Sequence, residues 1–186
     1  MYFLKTISDE VRLSQIKFNK HKKMMKLILV AIFACLAAIL QSVGGFLPGI
    51  GYLFSPLATA PILFCAIFSI PLGVMAYFLT IILLFILEPT ELLVFPFTTG
   101  LLGLGIGASF SFFRRRISII ATGTILLMLG IMSLLFIFDF PILGPAITGS
   151  ISFFATGSIF LFAFIYTLLW VELALIIFNR LKTIII

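Results

Sequence analysis

Long apolar runs, interrupted at intervals by proline, glycine or charge, set the pattern of this chain. A helix needs about 20 predominantly apolar residues to cross a bilayer, and the interruptions mark where each crossing stops. Read this way, the chain predicts six spans. The first runs from Leu27 to Phe46 and stops at "GGFLPGIGY"; the second, from Leu57 to Ile70, stops at "SIPLG"; the third, from Leu72 to Leu87, stops at "EPTE". The fourth runs from Leu92 to Phe113 and stops at three arginines, the fifth from Ile117 to Phe138 and stops at "DFPILGP", and the sixth lies within Ile147 to Phe178. Spans two and three are short and predict a tight hairpin around Pro71 and Gly73.

Composition strengthens this reading. Hydrophobic residues make up 63% of the chain and charged ones 10%, and the mean hydropathy is +1.36. With 23 Phe and 14 Gly, this is the profile of helices that pack in lipid. A charge at the centre of a bilayer costs roughly 2.5–3.5 kcal/mol on insertion scales, so charges mark ends, loops or functional points. Of 12 Lys and Arg, seven precede residue 27, three are Arg114, Arg115 and Arg116, and two are Arg180 and Lys182. Even numbers of spans separate these clusters. A cytoplasmic amino terminus therefore places every basic cluster inside, both termini in the cytoplasm, and Glu88, Glu91 and Asp139 outside. The expected organisation is a basic cytoplasmic segment over residues 1–26, a six-helix all-α transmembrane domain over 27–178, and a cytoplasmic tail over 179–186, in a multi-pass protein of the plasma membrane. The polar stretch before the first apolar run reads as part of the protein ahead of a retained first span, not as a cleaved leader.

Several chemistries find no support. The net charge of +6 sits beside apolar spans, where anionic headgroups and topology explain it before nucleic acid does. Cys35 and Cys65 lie inside apolar runs and read as packing thiols. No metal-ligand spacing is present, and His21 falls in the basic segment "KFNKHKKMMK". A Ser-His-Asp set, an aspartyl pair and a phosphate-cradling loop are all missing. The expectation is a protein that is not an enzyme and carries no cofactor.

Polar and small residues inside the apolar pattern are the candidates for function. Ala34 and Ala38 share one face of the first span, and Gly103 and Gly107 form a GxxxG pair in the fourth; each admits a close helix neighbour, from this chain or from a partner. On the external side, "QSVGGFLPGIGYLFSP" has the glycines of a mobile lid, and hydroxyls and carboxylates gather nearby, Thr98 and Thr99 among them. The predicted substrate site comprises Gln41, Tyr52, Glu91, Thr98, Asp139 and Ser152, beneath a lid from Gly44 to Ser55. The outer loops carry no Lys or Arg, so a small, neutral or singly cationic, partly aromatic ligand is expected. Glu172, alone in "LLWVELALII", pairs with a basic residue or handles a proton. Arg114, Arg115 and Arg116 anchor topology and offer a place for a partner or an anionic lipid.

Over about 150 residues, Leu27 to Phe178, the layout resembles the substrate-binding S components of energy-coupling factor (ECF) transporters. The resemblance rests on the basic amino terminus, the Ala34–Ala38 pair, a first external loop, the stretch "SPLATAPILFCAIFSIPLGVMAYFLT", and a glycine-rich fourth span ending in arginines. It implies capture of a vitamin-like or amino-acid-like small molecule from outside. It also implies contact of Ala34 and Ala38 with a transmembrane coupling subunit, and movement across the bilayer powered by that subunit's pair of ATPases. Two alternatives share the size and hydrophobicity: a scaffold subunit of a cell-envelope or cell-shape assembly of the MreD type, and a permease-like subunit of another transporter.

Overall fold

A computed structural model of the chain describes Gln15, Ile16, Phe18 and residues 22–47, 49–140 and 153–185, with backbone only for Tyr52, Phe153, Phe154 and 179–185. These residues are helical almost throughout, without a strand. α1 spans Lys23–Phe46, and a short α2, Gly51–Phe54, leads through a 3-10 turn, Ser55–Ala58, into α3, Thr59–Phe68. α4 spans Ile70–Leu87, α5 Glu91–Phe97, α6 Thr99–Phe112, α7 Arg116–Phe136 and α8 Phe153–Ile185.

Among the described residues, five helical stretches have the length and apolarity to cross a membrane: α1, α4, α5 with α6, α7, and Ala155–Phe178 within α8. Their outward faces carry Ile28, Ile32, Phe78, Ile82, Phe85, Ile125, Leu129, Leu161, Ile165 and Leu169 in the open. Apolar area on this scale needs lipid rather than water. Where the second span is expected, over Leu57 to Ile70, lies a shorter apolar helix, Ser55–Phe68, about 21 Å long at 1.5 Å per residue. It is buried nearly all round: Thr59, Pro61, Ile62, Leu63, Cys65, Ala66 and Ile67 are all buried. A helix wrapped by its neighbours need not match the hydrocarbon thickness, because protein rather than lipid faces its ends.

α3 therefore forms the axis of the bundle, with α6, α4 and α1 against it. Its two sides belong to two cores. Leu63 and Ile67 join α6, α7 and α8 through Leu102, Ile106, Ile120, Val171 and Ala174. Ile62 and Cys65 join α1, α4 and α5 through Ala38, Ala76, Leu84 and Phe95. The expected hairpin at Pro71 and Gly73 is present: Ser69 is extended, Pro71 falls in the first turn of α4, and a Cβ on Gly73 would lie 2.6 Å from Ala66 Cα.

The fourth span is one apolar stretch in sequence and two helices in the structure. Pro96 has no N–H to return to Leu92, and the chain leaves helical geometry at Thr98 (φ −119°, ψ −96°) before resuming at Thr99. The interruption is covered by protein. Tyr77 of α4 donates a 3.0 Å hydrogen bond to the Pro96 carbonyl, and Gly130 of α7 packs directly on the Phe97 carbonyl.

At one end of the bundle lie Lys22, Lys23 and the α6–α7 turn with its arginines. Gln15 Nε2 ties this end together by donating to the Ile67 carbonyl at 2.7 Å and to Ser111 Oγ at 2.9 Å. The opposite end carries the α1–α2 turn, Glu88, Glu91 and Asp139.

The GxxxG pair proves to be an internal contact. A Cβ on Gly103 would lie 2.7 Å from the Thr59 carbonyl, and one on Gly107 would meet Ala66 Cβ and lie 2.7 Å from the Leu63 carbonyl. Gly105, on the other face of α6, would meet only the flexible end of Leu126. We predict that Gly107→Ala lowers stability by about 1–3 kcal/mol, because backbone cannot yield as a side-chain tip does. Gly105→Ala should stay within about 0.5 kcal/mol of the parent in a denaturing-detergent titration.

Candidate functional site

Several hydroxyls in the bundle bond to their own helix. Ser42, Thr80, Ser109, Thr122, Thr124 and Ser133 each donate to the carbonyl four residues earlier, at 2.7–2.9 Å, and so spend their polarity locally. Gln41, Glu91 and Thr99 do not. Gln41 Nε2 donates to Glu91 Oε2 at 2.7 Å, and Thr99 Oγ1 donates to Gln41 Oε1 at 2.8 Å. This chain of bonds joins α1, α5 and α6, and all three residues are buried.

The approach is possible because α1 is narrow here. Ala37, Ala38, Gln41 and Gly44 lie on its buried face. A Cβ at Gly44 would stand 3.0 Å from Glu91 Oε1 and 3.4 Å from the Ser55 side chain; one at Gly45 would stand 2.7 Å from Glu88 Cδ. Glu88, at the rim, accepts a 2.6 Å bond from Thr90 Oγ1. Two carboxylates thus rest on the bare backbone of Gly44 and Gly45. Every described Lys and Arg side chain is at the far end, so Glu91 has no described cation beside it. A buried carboxylate in that position is costly unless bonded or matched by a cation. Among the described residues, no group of three His, Cys, Asp or Glu could hold a metal ion.

A second polar group adjoins the first through the 3-10 turn. Ser55 faces Gly44, while the next carbonyl, Pro56, accepts a 3.3 Å bond from the Tyr166 hydroxyl of α8. Thr59 lies fully buried beside the Tyr166 hydroxyl, and Thr167 Oγ1, also fully buried, has no hydrogen-bond partner among the described residues. Trp170 presents itself edge-to-face to Tyr166, with ring centroids 6.4 Å apart. Sequence reading passed over Thr59 and Tyr166. The available signal was a lone phenol in the apolar run "FAFIYTLLW", since a buried Tyr hydroxyl generally finds a partner.

The predicted site residues divide. Gln41 and Glu91 are brought together as a hydrogen-bonded pair. Thr98 is not part of the group: it bonds back to the Val94 carbonyl at 2.7 Å, and the break at this residue turns Thr99 inward in its place. Asp139 is exposed beyond the end of α7, with φ +49°, and makes no bond to the group. The Tyr52 side chain and Ser152 lie outside the described residues.

The predicted lid is corrected. Gly44 and Gly45 are inside α1, and Gly51 opens α2 with its Cα packed on the Val43 carbonyl, so these glycines serve close packing rather than mobility. Only Gly49, at φ +90° with open space around it, requires the freedom of glycine. Ala34 and Ala38 are also accounted for within the chain. Both are fully buried, and Thr80 of α4 donates to the Ala34 carbonyl at 3.3 Å. The alanine face offered to a partner is occupied by α4. At the basic end, Arg116 pairs with Glu172 at 3.4 Å, while Arg114 and Arg115 are exposed.

Gln41→Leu leaves the Glu91 carboxylate and the Thr99 hydroxyl without their buried partner, and should lower stability by about 1–3 kcal/mol. Adding Glu91→Leu and Thr99→Val removes the orphaned groups and should restore much of that loss, read by thermal unfolding in detergent. No protein-family model, curated protein or solved structure matches this chain, so a reading of its function rests on this geometry and on the sequence.

Proposed function

We propose that this chain is the membrane-embedded substrate-capture subunit of an ECF-type transporter, receiving a small molecule at its external end. The observation that carries the reading is the Gln41–Glu91–Thr99 network: a buried carboxylate, held by an amide and a hydroxyl from two other helices, with no described cation beside it. The hydroxyls of Ser42, Ser109, Thr122, Thr124 and Ser133 are each satisfied within one helix, and the network is not. It spans three helices and holds a carboxyl group that a positive ligand would match. The matching ligand is a small organic cation, vitamin-like or amino-acid-like.

In this reading the chain makes six passes, with both termini cytoplasmic. Helix Ser55–Phe68 supplies the second pass, and the described basic residues gather at one end, as the excess of cytoplasmic Lys and Arg requires. The glutamates then face outside, toward incoming substrate. The sequence has no phosphate-cradling loop, so uptake would depend on a coupling subunit and an ATPase pair. With Ala34 and Ala38 enclosed, the surface that meets the coupling subunit lies elsewhere on the bundle. A cell-shape scaffold would need no ligand, and it is the reading that gains if capture fails.

Two experiments bear on this. Small organic cations and their uncharged analogues can be screened by thermal shift on the detergent-purified protein. A ligand at a hundredfold excess over its Kd should stabilise the fold by about 2.7 kcal/mol. Glu91→Gln should abolish the shift and Asp139→Asn should preserve it; a panel in which no compound acts would favour the scaffold. Separately, Gly49→Cys and Thr90→Cys should react with an impermeant maleimide in intact cells, and Ser118→Cys should react only after lysis. Labelling of Ser118→Cys in intact cells would reject the proposed orientation.

A further inference from the structure

The three consecutive arginines do not act together. Arg116, at the start of α7, turns inward to Glu172 of α8, its side chain 12% exposed. Arg114 and Arg115 remain on the α6–α7 turn, both exposed, and no carboxylate of the described residues is left for them: Glu172 is taken, and Glu88, Glu91 and Asp139 are at the other end. Around the same turn, apolar side chains are also uncovered. Phe112 is 74% exposed, Phe113 41% and Ile117 51%. The turn thus presents two guanidinium groups and three large apolar side chains together, where α6 ends and α7 begins.

From this pairing we propose that the α6–α7 turn is a binding site for an anionic phospholipid. A guanidinium matches a phosphate oxygen pair through parallel N–H donors, and at the membrane surface the attraction is strengthened by the negative leaflet. The exposed phenylalanines and Ile117 lie against the acyl chains of the same lipid. A free phosphate would satisfy the arginines and leave the apolar side chains uncovered; a lipid covers both. Lys22 and Lys23 are exposed at the same end but adjoin Met24 and Met25 at the tip of α1, apart from this turn in sequence. They add to the general positive field. Arg116 stays with Glu172 and holds α7 to α8, which keeps the turn in place without contributing to the headgroup.

The test uses the whole chain in nanodiscs of mixed phosphatidylcholine and phosphatidylglycerol, with the retained lipid quantified after mild detergent extraction. The parent protein should be enriched in phosphatidylglycerol over the bulk mixture. Arg114→Gln with Arg115→Gln should reduce that enrichment by about fivefold for each arginine. Lys22→Gln with Lys23→Gln should change it far less, and inorganic phosphate at millimolar concentration should not displace the lipid. Thermal unfolding in pure phosphatidylcholine should be the same for the parent and the arginine variant, since the Arg116–Glu172 pair is untouched. Undiminished enrichment in the arginine variant would overturn the site. So would an equal loss in the lysine variant, which would assign the effect to diffuse charge, and so would displacement by inorganic phosphate.

Discussion

The close approach of α3 to α6 governs where the other elements can stand. At Gly103 and Gly107 the two backbones meet with almost nothing between them, and Thr59, Leu63 and Ala66 fill the space that side chains would have taken. In a membrane no hydrophobic force drives helices together beyond what lipid already supplies, so contact area gained by small residues has greater weight than in water. Once α6 is pressed against α3, Thr99 one turn above Gly103 is carried into the interior. There it meets Gln41, and through it Glu91. The polar network is thus a consequence of the depth at which α6 sits.

The same contact explains why the short helix is tolerated. α3 has no lipid-facing side of any extent, and its neighbours bring their own small residues to it: Gly73 of α4 packs on Ala66, and Gly107 packs on the same residue from α6. Its length is set by the loops that enter and leave it rather than by the bilayer. At its entry, the 3-10 turn places Ser55 on one side and the Pro56 carbonyl on the other, touching both polar groups. The element least like a membrane span connects the two groups of the candidate site.

The sequence carried the apolar periodicity, and with it the helices and most of their ends: α1, α4 and α7 begin and end within a few residues of the lysine, proline and arginine signals that predict them. It carried less about direction around each helix axis. Ala34, Ala38, Gly44 and Gly45 are small residues in either reading, and whether they face a partner, solvent or this chain depends on which helices become neighbours. Thr98 and Thr99 show the limit most clearly. They are identical residues one position apart, and the choice between them follows from a Pro96 break whose exact place only the three-dimensional path determines. Tyr166 and Thr59, far apart in the chain, become neighbours through the same path.

Charge is divided between the ends of the bundle in a way that packing alone does not require. A membrane helix bundle needs few ionised groups, and here the described ones separate into arginines and lysines at one end and carboxylates at the other. Glu172 is the exception that clarifies the rule, since it sits low on α8 and is matched by Arg116. Glu91 has no such match among the described residues, though it is the more deeply buried of the two. This acidic group, placed where lipid and protein both disfavour charge, is supported by an amide rather than a cation. A purely structural role would be served as well by glutamine at that position. It is this carboxylate on which the proposed capture of a cation depends.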